Sequence, residues 1–436
     1  MSASSLAFDL ELNRRPTTFA LPMKLLPGFR DLYPEDCAVR NYIIAKWREA
    51  ARCYGFVEYD GPMLEPIELY KKKSGGELVG QLFDFVDKGE RHVAMRPEMT
   101  PTLARMVAAR ERDFKKPLKW FCAPQFFRYE KQQRGRLREF YQFNADIIGE
   151  ASPAADAELI ALVIALLRGF GFDQEDFVIR VSDRNAWASF AKARGVEEDR
   201  LLEFLDVIDK LERTPGPQLE SKLAGFGVSL EDLRKFIADP SAEHENLKHL
   251  TDDLKARGLE GFVEIDMTIV RGLAYYTGFV FEVFDRGKKE RALAGGGRYD
   301  NLLNLMSDGK VTLPALGFGM GDVVLGNLIS DTPKAAALMK EWISRQHAAD
   351  VFVIIAQEER RAEGLAIVQE LREAGLRVDF SMTATKVGKQ FQVAEQLGAR
   401  HAVLVGEEWP NVKLKTLATR EEVIVPKEEL AAQLGT

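Results

Sequence analysis

Cysteine is sparse in this chain and scattered. Cys37, Cys53 and Cys122 lie far apart, with neither the paired spacing of a metal knuckle nor the density of a disulfide framework. Free thiols in a reducing, cytoplasmic setting are expected. Long apolar runs are also missing. The longest candidate, residues 159–167, is too short to span a bilayer and is expected to be a buried helix, so no membrane association is predicted. The opening MSASSLAFDLELNRRPTTF lacks an apolar core before a cleavage site, and no secretory signal is expected. Positive charge is not in excess either. A net charge of −7 argues against a general nucleic-acid coat, although a particular RNA is held by local basic faces and not by the sum. No internal repeat, GxGxxG fingerprint or Walker lysine is present; the glycines at 295–297 have no such context.

What remains is 436 residues with the apolar and charged content of an ordinary globular protein, enough for two or three domains. Residues 1–20 are expected to form a loosely held extension. A helix is expected after Pro34, with Asp36 as its cap, Val39, Ile43, Trp47, Ala50 and Tyr54 at helical spacing, and Gly55 closing it. Residues 56–60 suggest a strand, and 117–149 two strands around a basic loop. A strongly apolar helix follows at 155–167. Residues 184–257 are helical and charged, as in an inserted helical subdomain. Strands are expected again at 262–269 and 278–284. Residues 331–348 suggest a linker, and 349–436 alternate strand and helix in a small α/β domain.

The densest chemistry lies in FFRYEKQQRGRLREFYQFNADIIG, residues 126–149. Alternate side chains of a strand share a face, which groups Phe126, Arg128 and Glu130, and likewise Phe140, Gln142, Asn144 and Asp146. Tyr141, Phe143, Ala145 and Ile147 point the other way and suit a core. An arginine, two carboxylates and two amides side by side are costly to bury without a ligand or mutual pairing. Arg128 could grip a phosphate, Glu130 could accept from an exocyclic amine, and Phe140 offers a flat face to a base. The loop 131–138 carries four cations, fit for phosphates or an RNA end. A solvent-exposed hairpin with interstrand ion pairs is the alternative.

Weaker signals flank this one. MRPEMTP, 95–101, could present Glu98 and Thr100 to an amine, or simply cap a helix. VRGLAYYTG, 270–278, offers an arginine and two tyrosine hydroxyls to a pocket, or two core tyrosines. LAGGGRYDNLL allows close backbone approach.

In this order, PGFRDLYPED, GFVEYDGPMLEP, MRPEMTP, FFRYE…REFYQFNADIIG, VRGLAYYTG and GGGRYDNL resemble the histidyl-tRNA synthetases from about Leu25 onward, and VGKQFQVAEQLGARHAVLVGEE resembles their anticodon-binding domain. The resemblance implies an α+β class II fold: an antiparallel catalytic sheet with helices over 21–330, the helical insertion at about 184–257, and the anticodon-binding domain at 349–436. It implies a homodimer built partly through 56–66. The substrates implied are L-histidine, ATP as its Mg²⁺ complex and tRNA(His), with no tightly bound protein metal. By motif position, Glu98, Thr100 and Gln142 would hold the amino end of histidine. Asp146 and Tyr276 would read the imidazole, with Tyr275 lining the pocket. Arg128 would grip the α-phosphate and Arg271 would act as catalytic arginine, both beside the bound histidine. Glu130, Arg136 and Phe140 would complete the ATP site, and Lys131, Gln133 and Arg134 would meet the tRNA acceptor end.

The sequence departs from the family pattern at four places. Val324 stands in GFGMGDVVLGNL where class II enzymes bring an arginine to ATP, so that grip is expected to be weaker or to come from elsewhere. Ala274 replaces the usual aspartate. Lys131–Gln132 stand where Arg–Pro is commoner, implying altered reading of the acceptor end. Asp146 stands where glutamate is also common. The alternative function is a non-catalytic synthetase paralogue regulating histidine biosynthesis. The presence of the carboxy-terminal domain and of Arg128, Gln142, Arg271 and both tyrosines favours the enzyme.

Overall fold

The computed structural model describes residues 24–72, 76–211, 214–238, 245–271, 275–287, 290–347 and 349–435. The expected extension at 1–20 and Ala274 lie outside them. No helix among the described residues is long and apolar enough to cross a membrane.

Helix Pro34–Cys53 begins where Pro34 fixes a helical φ. Asp36 stabilises this start from inside the first turn, its carboxylate accepting from the Tyr33 N–H at 3.2 Å, so the capping residue is Tyr33 and not Asp36. Gly55 then turns the chain at φ +74°. The helix buries Tyr42, Ile43, Trp47 and Ala51 against the main sheet.

That sheet has nine strands among the described residues. In order they are Val57–Glu58, Leu118–Cys122, Glu139–Ile148, Ala315–Gly321, Ala294–Arg298, Phe279–Asp285, Phe177–Asp183 and Val263–Ile265, with Gln125–Phe127 as a short hairpin arm on Glu139–Ile148. Only the two outermost pairings are parallel. Residues 56–60 and 262–269 thus supply shorter strands than expected. The hairpin is shorter too. Its strand pairing stops at Phe127 opposite Glu139, and Arg128 N–H then bonds Arg138 O while the loop folds over.

The two faces of the sheet differ in kind. Phe143, Ala145, Ile147, Leu316, Phe318, Met320, Phe281 and Val283 form the apolar face, covered by helix Pro153–Arg168. That helix is apolar all round because other helices, among them Pro34–Cys53 and Glu245–Ala256, bury its far side. One charged pair interrupts this layer. Arg298 reaches Asp156 at 2.8 Å, and burial pushes the Asp156 carboxyl up to about 7 against the pull of Arg298.

The helical block comprises Arg184–Ala193, Leu201–Asp209, Gly216–Ala224, Leu230–Ala238 and Glu245–Ala256. Asp183 caps the first by accepting from Asn185 N–H at 2.8 Å. Trp187 packs on Phe190, Phe204 and Phe236 and donates to Met267 O at 2.9 Å. The block therefore shares the main core. The stretch expected as a linker is largely helix, Pro333–His347, and its Trp342 ring lies 5.5 Å from Tyr42.

The carboxy-terminal sheet runs Val378–Phe380, Val351–Ile355, His401–Val405, Asn411–Thr416 and Glu422–Pro426, the first three parallel and the last two antiparallel. Helices Arg361–Glu373 and Val387–Gln396 cover it. Buried Gln390 knits the second helix to strand Val351–Ile355, accepting from Ile355 N–H at 3.0 Å and donating to Ile355 O at 2.9 Å.

Candidate active site

The other face of the main sheet is built from polar side chains and missing ones. In register across it lie Asp146, Gly317, Gly297 and Val280, then Asn144, Gly319, Gly295 and Glu282. The glycines open room for their neighbours. A Cβ on Gly317 would fall 2.1 Å from Asp146 Oδ1, one on Gly319 would fall 2.8 Å from the Gln142 amide, and one on Gly295 would fall 1.6 Å from Arg271 Nη1. The sheet thus holds a furrow in which only glycine is tolerated.

At one end the furrow opens into a cleft of about 680 Å³. Arg128, Arg136, Arg271 and Arg291 line it with Glu130, Glu282, Phe140 and Gln142. Arg128 donates from Nε to Pro97 O at 2.9 Å and lies 5.3 Å from the Phe140 ring centre. Phe140 in turn rests on fully buried Phe126, 5.9 Å away, so Phe126 belongs to the core and not to the site. Arg136 pairs with Glu130 at 2.8 Å. Arg271 occupies the left-handed region at φ +51°, rare for a residue with a side chain, and is held by Glu282 at 2.9 Å.

At the other end three phenols gather with two buried carboxylates, Asp146 and Glu98. Buried Asp146 accepts from the Tyr299 hydroxyl. Tyr275 packs on Tyr276 with ring centres 4.8 Å apart and edge-on to Tyr299 at 6.0 Å. Burial pushes all three phenols above their ordinary range, so each keeps its proton at neutral pH. Buried Glu98 lies close enough to raise both Tyr275 and Tyr276 further. Thr100 opens helix Thr100–Ala109, half-buried.

Most of the expected residues therefore share one furrow: Arg128, Glu130, Arg136, Phe140, Gln142 and Arg271 around the cleft, and Asp146, Tyr275, Tyr276 and Glu98 beyond it. Lys131, Gln133 and Arg134 stand exposed on the basic loop. Arg134 pairs with Glu290 at 2.7 Å, and Gln133 accepts from Arg291 at 2.5 Å. Val324 lines the cleft and packs toward Gly135 of that loop.

Four contributors lie outside the expected set, one of them Arg291 on the cleft wall. Tyr299 sits in GGGRYDNL, a motif that stands out for its glycines only. Glu282 is the sole charged residue inside the apolar strand FVFEVF, and that isolation is a usable signal. Arg30 joins the amino-terminal segment to the site floor, donating to Glu139 at 2.7 Å and to Asp322 at 3.1 Å, while Asp322 accepts from Tyr141 N–H at 2.9 Å. Pairing across 292 positions of sequence has no local signature.

A family model described as histidyl-tRNA synthetase matches residues 28–321, and one described as anticodon binding domain matches 350–435. A protein of Opitutus terrae named histidine–tRNA ligase is 43% identical over 94% of this chain and 97% of its own. A histidine–tRNA ligase of Leptospira biflexa is 37% identical over 91% and 93% respectively. The crystal structure of histidyl-tRNA synthetase from Nostoc sp. PCC 7120 superposes with a TM-score of 0.74 at 24% identity, covering 95% of this chain and 99% of that one, a likeness of fold.

Proposed function

The chain belongs to the histidyl-tRNA synthetase family, and from that premise we propose how its residues divide the work of joining histidine to tRNA. It is a class II aminoacyl-tRNA synthetase of the α+β fold, a histidine–tRNA ligase that uses ATP. The observation that carries the residue assignment is the single glycine furrow, with arginines at one end and a carboxylate ringed by phenols at the other.

Histidine lies along the furrow. Asp146, fixed by Tyr299, and Tyr276 meet the two imidazole nitrogens, while Glu98, Thr100 and Gln142 receive the amino group. A carboxylate and a hydroxyl select a ring with two distinct nitrogens over other rings. ATP fills the cleft, its base against Phe140, with Glu130 and Arg136 beside it. Mg²⁺ enters as the ATP complex; the carboxylates of Glu130 and Glu282 line the same cleft.

The histidine carboxylate oxygen attacks the α-phosphorus, the bond to the bridging oxygen breaks, and pyrophosphate leaves with the electron pair. Arg128 and Arg271 neutralise the charge that gathers on the α-phosphoryl oxygens. A ribose hydroxyl of the tRNA terminus then attacks the histidyl carbonyl and AMP departs. No protein nucleophile is needed. Lys131, Gln133 and Arg134 face outward where the acceptor end would approach, and the anticodon-binding domain holds the far end of the tRNA. A non-catalytic regulator would have no use for four arginines converging on one cleft.

The enzyme works as a homodimer in the cytoplasm. Val57, Met63 and Leu64 are exposed, and Phe85 and Val86 add to them from the small sheet Leu64–Pro66, His92–Met95 and Asp84–Val86. Apolar side chains so grouped suit a second copy.

Exchange of labelled pyrophosphate into ATP, run with each amino acid in turn, tests the assignment. Exchange with histidine alone is expected; exchange with another amino acid, or with none, would overturn it.

A further inference from the structure

The cleft presents an apolar surface where the class II pattern has an arginine. Val324, in helix Asp322–Asp331, lines it and has no donor to offer a phosphate. A second feature belongs to the same cleft. The segment leading into strand Ala294–Arg298 carries Arg291, which lines the same cleft. This segment is tied down on three sides. Leu293 N–H bonds Val283 O at 2.8 Å, and Glu290 N–H bonds the Asp285 carboxylate at 3.2 Å. The Glu290 carboxylate receives Arg134 of the basic loop at 2.7 Å and Asn327 Nδ2, from the helix that carries Val324, at 3.4 Å. Arg291 itself donates to Gln133 Oε1 at 2.5 Å.

We propose that Arg291 supplies the cation for the outer phosphates of ATP that position 324 lacks. The proposal rests on the cleft being the ATP site. Arg128 and Arg271 flank Gln142 and Glu282 on the sheet floor, where the reacting phosphorus belongs. Arg291 and Val324 lie toward the loop, where the rest of the triphosphate would extend. A guanidinium holds two phosphate oxygens through its planar fork, and a neutral amide such as Gln133 gives way to a charged acceptor. The anchoring of Glu290 to both the loop and the 322–331 helix fixes the spacing across which Arg291 reaches. The segment thus replaces an arginine in the helix with one delivered from the stretch that leads into strand Ala294–Arg298.

Pyrophosphate exchange with histidine tests this on the full-length protein, comparing wild type with Arg291→Ala and Arg291→Gln. The glutamine variant keeps a side chain of similar reach without the charge. Both are expected to raise KM for ATP on the order of tenfold to a hundredfold while KM for histidine stays put. Adding Val324→Arg to Arg291→Ala is expected to recover most of that loss. An ATP KM within about twofold of wild type in both variants, beside a normally active wild type, would overturn the role of Arg291 alone. A wild type that exchanges no pyrophosphate would overturn the ATP-site assignment and this proposal with it.

Discussion

The Tyr299 hydroxyl donates to Asp146 across the notch that Gly317 leaves in the neighbouring strand. Tyr299 is buried and, with Asp146 beside it, holds its proton above the ordinary phenol range. Tyr299 therefore holds the carboxylate in place.

Tyr299→Phe removes that support and leaves the ring. KM for histidine is expected to rise about tenfold, the effect of one hydrogen bond to a charged group, with KM for ATP unchanged. Steady-state exchange kinetics read both, and equal shifts in the two constants would contradict a positioning role.

Gly295→Ala places a methyl 1.6 Å from Arg271 Nη1, the far end of a flexible side chain. Arg271 should swing away while the sheet holds. We expect kcat to drop on the order of a hundredfold or more, with little change in the unfolding temperature. A variant that unfolds at wild-type temperature yet keeps wild-type kcat would show that Arg271 does not act in the reaction.

Asp350 gathers the start of the carboxy-terminal sheet. Arg377 hydrogen bonds hold its carboxyl well below the usual carboxylate range, against the effect of burial and with help from Arg400. A folded value below the unfolded one, about 4, means stability present above pH 4 and lost as the pH falls through the lower range. Asp350→Asn is expected to lower the unfolding temperature at pH 7, and the gap to wild type should narrow between about pH 4 and pH 2. A gap that is constant with pH would assign the loss to packing.

Leu64 lies exposed at the edge of the small sheet, in the segment expected to join two copies. Leu64→Asp is expected to convert a dimer to a monomer in sedimentation velocity. A variant that sediments as wild type would move the interface elsewhere.

About half of the furrow is legible in the amino-acid sequence. The alternation of Phe143, Ala145 and Ile147 with Gln142 and Asp146 follows from strand geometry alone, and both faces form as expected. Glu282 is marked only by its charge within an apolar run, and Tyr299 carries no mark of its role, because the strands around it come into register only after long excursions of chain. The hairpin falls short of its expected length for a local reason: residues 128–130 keep an alternating pattern although the loop has already left the ladder. Residues 331–348 have the composition of a linker, yet Ala335 and Met339 bury against the main core, a contact no local pattern announces.

The most direct test of the account is charging of total tRNA with labelled histidine by the purified protein, in the presence of ATP and Mg²⁺. Incorporation that requires histidine, ATP and tRNA together is predicted. A folded protein that binds histidine but transfers none to tRNA would contradict it.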